Sequence, residues 1–267
     1  MDGIADYVFV RSLGQGNNGE FFLARTPTRL PVEAEYVAVK VHVGATTQQT
    51  VRRATRELQA FAGVSSPYLV TLFDAGQDRG TFFYAMEYLP RGSLATPTQP
   101  VERAETLAAV ADAAEAAHAL HEAGLVHRDI RPGNILLADD GGRLSDLGLA
   151  QVFSQGGAVT AMAPIGSVEY VDPLLFRGLQ ASRASDIWSL GVSLHRALAG
   201  VGIYGEVQEH DALLALHQVM STAPQISPAV GPDAAAIISG CLDPDPVQRP
   251  ATAQEVAQAL RASTVSR

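Results

Sequence analysis

Residues 7–43 read as strands: the apolar stretches Tyr7–Leu13 and Glu20–Ala24 flank a Gly-rich turn, and β-branched residues alternate along Tyr36–Val43. From Thr46 to Gly63 the period changes. Val51, Leu58 and Phe61 fall at helical spacing, with no internal Gly or Pro and with Gly63 to close the helix. Two further strands are predicted at Tyr68–Asp74 and Thr81–Glu87. Five strands and one inserted helix make a small α+β unit. Turn-rich stretches follow at Pro90–Ser93 and Ala95–Pro100. Beyond them the pattern is helical: Glu102–Ala123 stopped by Gly124, Arg183–Ala199 stopped by Gly200, then Ala212–Met220, Pro232–Leu242 and Thr252–Ala262. The boundary is placed near residue 90, giving a strand-rich part over 1–90 and a larger helical part over 91–267.

Length and composition narrow the class. A chain of 267 residues suits one two-lobed domain or two small ones. With 47% hydrophobic and 18% charged residues it is globular. A formal charge of −9 argues against nucleic acid or anionic membrane as a partner of its global field. The single Cys241 forbids an intrachain disulfide. No apolar run approaches the roughly 18 residues of a membrane span, and the acidic start at Met1–Asp6 lacks signal-peptide features. The expectation is a cytoplasmic protein with no membrane segment in this chain. Lysine and arginine total 19, yet Lys40 is the only lysine. A lysine that survives such a bias toward arginine is a candidate for a role that needs lysine.

Gly14-Gln15-Gly16-Asn17-Asn18-Gly19 matches G-x-G-x-x-G. Alone the match is weak. Here it joins two predicted strands, whereas a dinucleotide fold would set it between a strand and a helix. A glycine turn between strands suits a lid whose backbone amides lie over phosphates. Val37-Ala38-Val39-Lys40 follows on the next strand, where alternation puts Ala38 and Lys40 on one face. Small Ala38 leaves room for a flat base, and Lys40 can reach phosphates. An anion is expected behind Lys40, and Glu57 on the only helix of this part is the candidate.

The strongest signal is His127-Arg128-Asp129-Ile130-Arg131-Pro132-Gly133-Asn134-Ile135-Leu136-Leu137, followed by Asp146-Leu147-Gly148. With these residues the chain resembles the protein kinase superfamily, specifically the bacterial Hanks-type Ser/Thr kinases. The resemblance implies a two-lobed fold: a small N-terminal five-stranded antiparallel sheet plus one helix, and a larger, mainly helical C-terminal lobe. It implies transfer of the γ-phosphate of ATP to Ser/Thr hydroxyls of protein substrates, with magnesium and with manganese as a substitute. By the same resemblance Asp129 takes the substrate hydroxyl proton, Arg131 contacts the γ-phosphate, and Asn134 and Asp146 hold the metal. Gly14, Gly16, Gly19, Phe21, Ala38, Lys40, Met86, Glu87, Tyr88 and Leu136 would surround the nucleotide, with Met86-Glu87-Tyr88 as hinge. Asp186 would bond the backbone of the catalytic loop. Phe61, Leu72, His127 and Leu147 would stack as a spine.

The chain also departs from the family pattern. Arg131 stands for the usual lysine, a change that the general replacement of Lys by Arg explains, although the two cations differ in geometry. Phe21 replaces the usual Val, and Asn18 the usual aromatic. Gly166-Ser167-Val168-Glu169-Tyr170 resembles the Ser/Thr-kinase Gly-Thr-x-x-Tyr, but Asp172-Pro173-Leu174 stands where Ala-Pro-Glu is expected. Arg249 therefore loses its family partner, and Asp172 or Glu169 is expected to replace it. Ser154 and Thr160 lie in the stretch read as the activation loop, and Thr160 is the expected autophosphorylation site, opposite Arg128. His118 and His121, three apart on a helix, are read as packed or solvated residues, not as zinc ligands.

Two rivals follow from the same residues. A pseudokinase is suggested by Leu174, Phe21 and Asn18, and opposed by intact Lys40, Glu57, Asp129, Asn134 and Asp146. A small-molecule phosphotransferase of similar fold is opposed by the Gly166–Tyr170 segment and by Asp186-Ile187-Trp188-Ser189-Leu190-Gly191. Relatives of this family often carry an anchor and a sensor, neither of which is expected in this chain. Control would then come from another protein or from a homodimer formed through kinase domains.

Overall fold

A computed structural model describes residues 2–16, 19–42, 46–146, 168–207 and 211–265. These divide into two compact units. The first is drawn from Met1–Gly63 and Val70–Tyr88, and the second from Val64–Leu69, Leu89–Gly148 and Ile165–Arg267.

The first unit is an antiparallel sheet with one helix. Its strands are β1 (Gly3–Ile4), β2 (Tyr7–Gly16), β3 (Gly19–Arg25), β4 (Tyr36–His42), β5 (Leu72–Asp78) and β6 (Thr81–Glu87), in the order β1-β2-β3-β4-β6-β5. Among the described residues the sheet therefore has six strands, not the five expected. The extra one is β1, which pairs Gly3 with Val8 and Ile4 with Tyr7 through a turn that holds Ala5 at φ 50°. Strand β5 also starts four residues later than expected, because its pairing with β6 is fixed by the Arg79-Gly80 turn, with φ of 46° and 82°.

The pleat gives this sheet two different faces. On one, Ala24, Val37, Val39, Val41, Phe83 and Ala85 form an apolar cluster closed by Ile4 and Tyr7. On the other, cross-strand register sets Leu23, Ala38 and Met86 in one row and Phe21, Lys40 and Tyr84 in the next. Helix α1 (Gln48–Ala62) packs on β5 and buries Ala54, Leu58 and Phe61. Thr47 caps it by accepting from the Thr50 N–H at 3.2 Å, and Gly63 follows its last turn.

The second unit is mainly helical: α2 (Arg103–Glu122), α3 (Pro173–Phe176), α4 (Arg183–Ala199), α5 (Ala212–Ser221), α6 (Pro232–Cys241) and α7 (Ala253–Val265). Gly124 and Gly200, with φ of 76° and 70°, lie just past the ends of α2 and α4. Helix α2 is alanine-rich and buried on most sides, so α4 and α7 both pack closely against it. A two-stranded hairpin, β7 (Ile135–Ala138) with β8 (Gly141–Leu144), interrupts the helical run. Asp112 in α2 tethers it by accepting the Gly142 N–H at 2.9 Å, and Arg261 of α7 donates to the same carboxylate at 3.1 Å. This hairpin matters for chemistry. Its Ile135–Leu144 pair brings Asn134 alongside Ser145, whose N–H donates to the Asn134 carbonyl at 2.9 Å. Among the described residues no helix is long and apolar enough to cross a membrane.

Candidate active site

The second unit assembles Asp129, Arg131 and Asn134 on one loop. Asn134 ends a short 3-10 turn, Pro132–Asn134, and its Nδ2 donates to the Asp129 backbone carbonyl at 2.7 Å and to Asp129 Oδ2 at 2.9 Å. Arg131 Nε lies 3.5 Å from Asp129 Oδ1. Burial pushes the Asp129 carboxyl above its ordinary range, and the charge of Asp146 acts the same way. Arg131, His127 and the Asn134 hydrogen bond oppose the shift. Asp146 is buried and takes a positive φ of 63°.

The loop is held from beneath by Asp186, near the start of α4. Its Oδ2 accepts from the His127 N–H at 2.8 Å, and its Oδ1 from the Arg128 N–H at 2.9 Å. Two successive amides aimed at one carboxylate fix Arg128 at φ 70°, a conformation that side-chain-bearing residues rarely adopt. The family resemblance implied this anchoring role for Asp186, and the hydrogen bonds show it. A third donor was not expected. His121 Nε2 lies 2.8 Å from Asp186 Oδ2, with both side chains 1% exposed. His121 is therefore part of the loop's foundation and not simple packing.

His127 has its own fixed geometry. Its Nε2 donates to the Ser145 carbonyl at 3.1 Å, so its Nδ1 is left to accept from the Asp129 N–H at 3.3 Å. Burial lowers its pKa, in keeping with a neutral ring whose two nitrogens are both used. The ring thus links Ser145, the neighbour of Asp146, to the backbone of Asp129.

In the first unit the glycine turn is closely packed. A Cβ at Gly19 would lie 2.5 Å from the Val41 carbonyl oxygen, and one at Gly16 would lie 2.5 Å from Cε2 of Phe21. Gly19, against backbone, therefore needs glycine, whereas a larger residue at Gly16 would have to displace the Phe21 ring. Gly14 sits at φ 122°. Ala38 is buried on the Lys40 face, as the alternation predicted, and Met86, opposite it on β6, is buried too. Glu87 accepts from the Thr71 N–H at 2.7 Å, and the Tyr88 hydroxyl accepts from Arg11 at 3.1 Å. Leu136 lies in β7 of the second unit.

Glu57, the anion expected behind Lys40, lies 3.6 Å from Arg53 on α1. The two are four residues apart on α1, so the local partner is within reach without tertiary adjustment. Lys40 is buried at 3% exposure, with Nζ 4.8 Å from the Phe21 ring centroid. The expected replacement partner of Arg249 is found: Arg249 Nη1 meets Asp172 Oδ2 at 2.5 Å. Glu169 instead accepts from the Ile203 N–H at 3.0 Å and lies 3.6 Å from Arg196. Asn17, Asn18, Leu147, Gly148, Ser154, Thr160, Gly166 and Ser167 lie outside the described residues.

Residues 7–260 match the protein kinase domain family. The chain belongs to that family. It is 34% identical over 265 residues to the serine/threonine-protein kinase PknK of Mycobacterium tuberculosis, covering 94% of this chain and 23% of PknK. It is 29% identical over 257 residues to the serine/threonine-protein kinase PrkC of Bacillus subtilis, covering 94% of this chain and 39% of PrkC. The chain thus spans well under half the length of these relatives. The crystal structure of the Mycobacterium tuberculosis PknI kinase domain, in a cysteine-to-alanine mutant, superposes with a TM-score of 0.73 at 26% identity, covering 100% of this chain and 99% of that one. The fold is that of a protein kinase domain, an α+β fold with a curled antiparallel sheet and a mainly helical part.

Proposed function

We propose that this chain is a catalytic domain that transfers the γ-phosphoryl group of ATP to Ser/Thr hydroxyls of proteins. The observation that carries the reading is the Asp129 carboxylate: partly buried, hydrogen-bonded to Asn134, facing Arg131, and mounted on a backbone held by Asp186. A carboxylate whose proton affinity is raised by burial is suited to accept the hydroxyl proton as the acceptor oxygen attacks phosphorus. The bond from the γ-phosphorus to the bridging oxygen breaks, and ADP leaves. Asp129 also aims the attacking oxygen, and Arg131 faces the charge on the moving group.

The donor set fits a hard divalent cation. Asn134 uses its Nδ2 on Asp129, which leaves its Oδ1 for a metal, and the Asp146 carboxylate adds a second oxygen donor. Among the described residues no group of three or more His, Cys, Asp or Glu side chains could hold a metal unaided. Such a pair suits an ion that shares its remaining ligands with phosphates and water. Magnesium is the metal we favour, and when bound it would offset the charge on the phosphoryl oxygens. Lys40 would contact the α and β phosphates, with Gly14, Gly16 and Gly19 above them. Ala38, Met86, Glu87 and Tyr88 would border the base.

The test is phosphate incorporation into a generic protein acceptor with Mg-ATP, beside Lys40→Met and Asp129→Asn. Transfer by the wild type, lost in both variants, supports the assignment. A wild type that binds ATP yet transfers nothing would put the pseudokinase reading ahead. Autophosphorylation at Thr160 or Ser154 belongs to the same reading, and mass spectrometry after incubation with ATP would detect it.

A further inference from the structure

On the Lys40 face of the sheet the register sets Phe21, Lys40 and Tyr84 directly opposite one another across β3, β4 and β6. The Lys40 ammonium lies 4.8 Å from the Phe21 ring centroid and 5.9 Å from that of Tyr84. This arrangement is built into the ladder, since a one-residue slip would send either ring to the opposite face. Aromatic faces attract a cation electrostatically, and more strongly where water is excluded. Lys40 is only 3% exposed, so the condition of exclusion is met. The Phe21 ring also fills the space against Gly16, where a Cβ would come within 2.5 Å of it. One side chain therefore touches both the glycine turn and the lysine.

The geometry points to Phe21 as a positioning residue, which with Tyr84 on the far side holds the Lys40 ammonium between two aromatic faces and couples it to the glycine turn. This inference rests on the reading of Lys40 as the phosphate-contacting lysine. Phe21 acts through Lys40. It keeps the cation aimed, and its substitution should show in turnover more than in folding.

The experiment compares wild type with Phe21→Val, Phe21→Leu and Phe21→Tyr in steady-state transfer, and places Phe21→Val in a double-mutant cycle with Lys40→Met read by Mg-ATP binding. Loss of one cation–aromatic contact should lower kcat about fivefold in the Val and Leu variants, with most of the activity kept by Tyr. The thermal midpoint without nucleotide should stay near that of the wild type. In the cycle, Phe21→Val should weaken ATP binding in the Lys40 background and have no further effect in the Lys40→Met background. Equal effects in both backgrounds, or unchanged kcat in the Val and Leu variants, would overturn the proposal. If the wild type transfers no phosphate, the functional reading fails on its own, while the binding cycle still reports whether Phe21 and Lys40 are coupled.

Discussion

Arg249 donates from Nη1 to Asp172 Oδ2 at 2.5 Å, and the two side chains are 0% and 3% exposed. The guanidinium also donates to the carbonyls of Ala184 (2.8 Å) and Asp243 (2.9 Å), so it joins three separate segments of the second unit. The carboxylate sits two residues before Leu174, the position at which the family resemblance places a glutamate. The charge has moved along the chain and the pairing has been kept. Asp172→Ala would leave a buried cation unpaired and should destabilise the second unit by about 3–5 kcal/mol. Replacing both partners, as in Asp172→Leu with Arg249→Met, should cost markedly less, because no orphaned charge remains. Urea denaturation of the two variants checks the contrast, and equal losses would contradict it.

Asp186 is the acceptor for two loop amides and for His121. Asp186→Asn puts an amide NH2 where an acceptor is needed, so at least one buried donor loses its partner. We expect a stability loss of roughly 2–4 kcal/mol and a fall in kcat of more than about tenfold. Binding of Mg-ATP should change far less than turnover. Calorimetry of nucleotide binding beside initial-rate kinetics separates the two.

Acidification should weaken the fold through two buried imidazoles. His127 uses both ring nitrogens as a neutral group, and His195 accepts the Ser227 N–H at 3.0 Å through Nε2. Burial lowers the pKa of each below the ordinary 6.5, with Arg196 adding to the shift at His195 and Asp186 opposing it at His127. The unfolded chain therefore takes up protons first. The stability these residues contribute is complete above about pH 6.5 and declines as pH falls toward the folded-state value, by at most ~1.4 kcal/mol per pH unit for each group. Asp129 acts in the opposite sense at pH values above its ordinary 3.8, since its folded-state pKa is raised. The denaturation midpoint should fall between about pH 7.5 and about pH 5.5, and His195→Gln should flatten the dependence. A midpoint indifferent to pH in this window would exclude the effect.

Arg131 tests whether a fork can replace a point charge. Its Nε faces Asp129 at 3.5 Å, and its side chain is 20% exposed, so a lysine ammonium has room to take its place. Arg131→Lys should keep transfer within about tenfold of wild type, whereas Arg131→Ala, which removes the charge, should lose considerably more. Side-by-side kcat/KM values decide the matter.

Much of this fold is legible in the sequence because the informative signals are local. Alternation alone locates Tyr36–His42 and puts Ala38 with Lys40, and Gly200 fixes the end of Arg183–Ala199. What escapes depends on partners distant in sequence, or on turns without turn residues. Strand Gly3–Ile4 is made by Ala5 at φ 50°, for which no Gly or Asn gives notice. His121 reads as helix filling because Asp186 is 65 residues away. The partner of Arg249 is foreseeable, since a buried arginine that loses one carboxylate must find another.

Trp188 is the only tryptophan of the chain, 4% exposed, with the Arg249 guanidinium 4.9 Å from its ring. The protein therefore carries one intrinsic fluorophore, placed beside the buried Arg249–Asp172 pair. Excited at the red edge of its absorption, it reports on the second unit while the tyrosines of the first stay dark. Loosening around α3 and α4 could thus be followed optically, in unlabelled protein and during turnover.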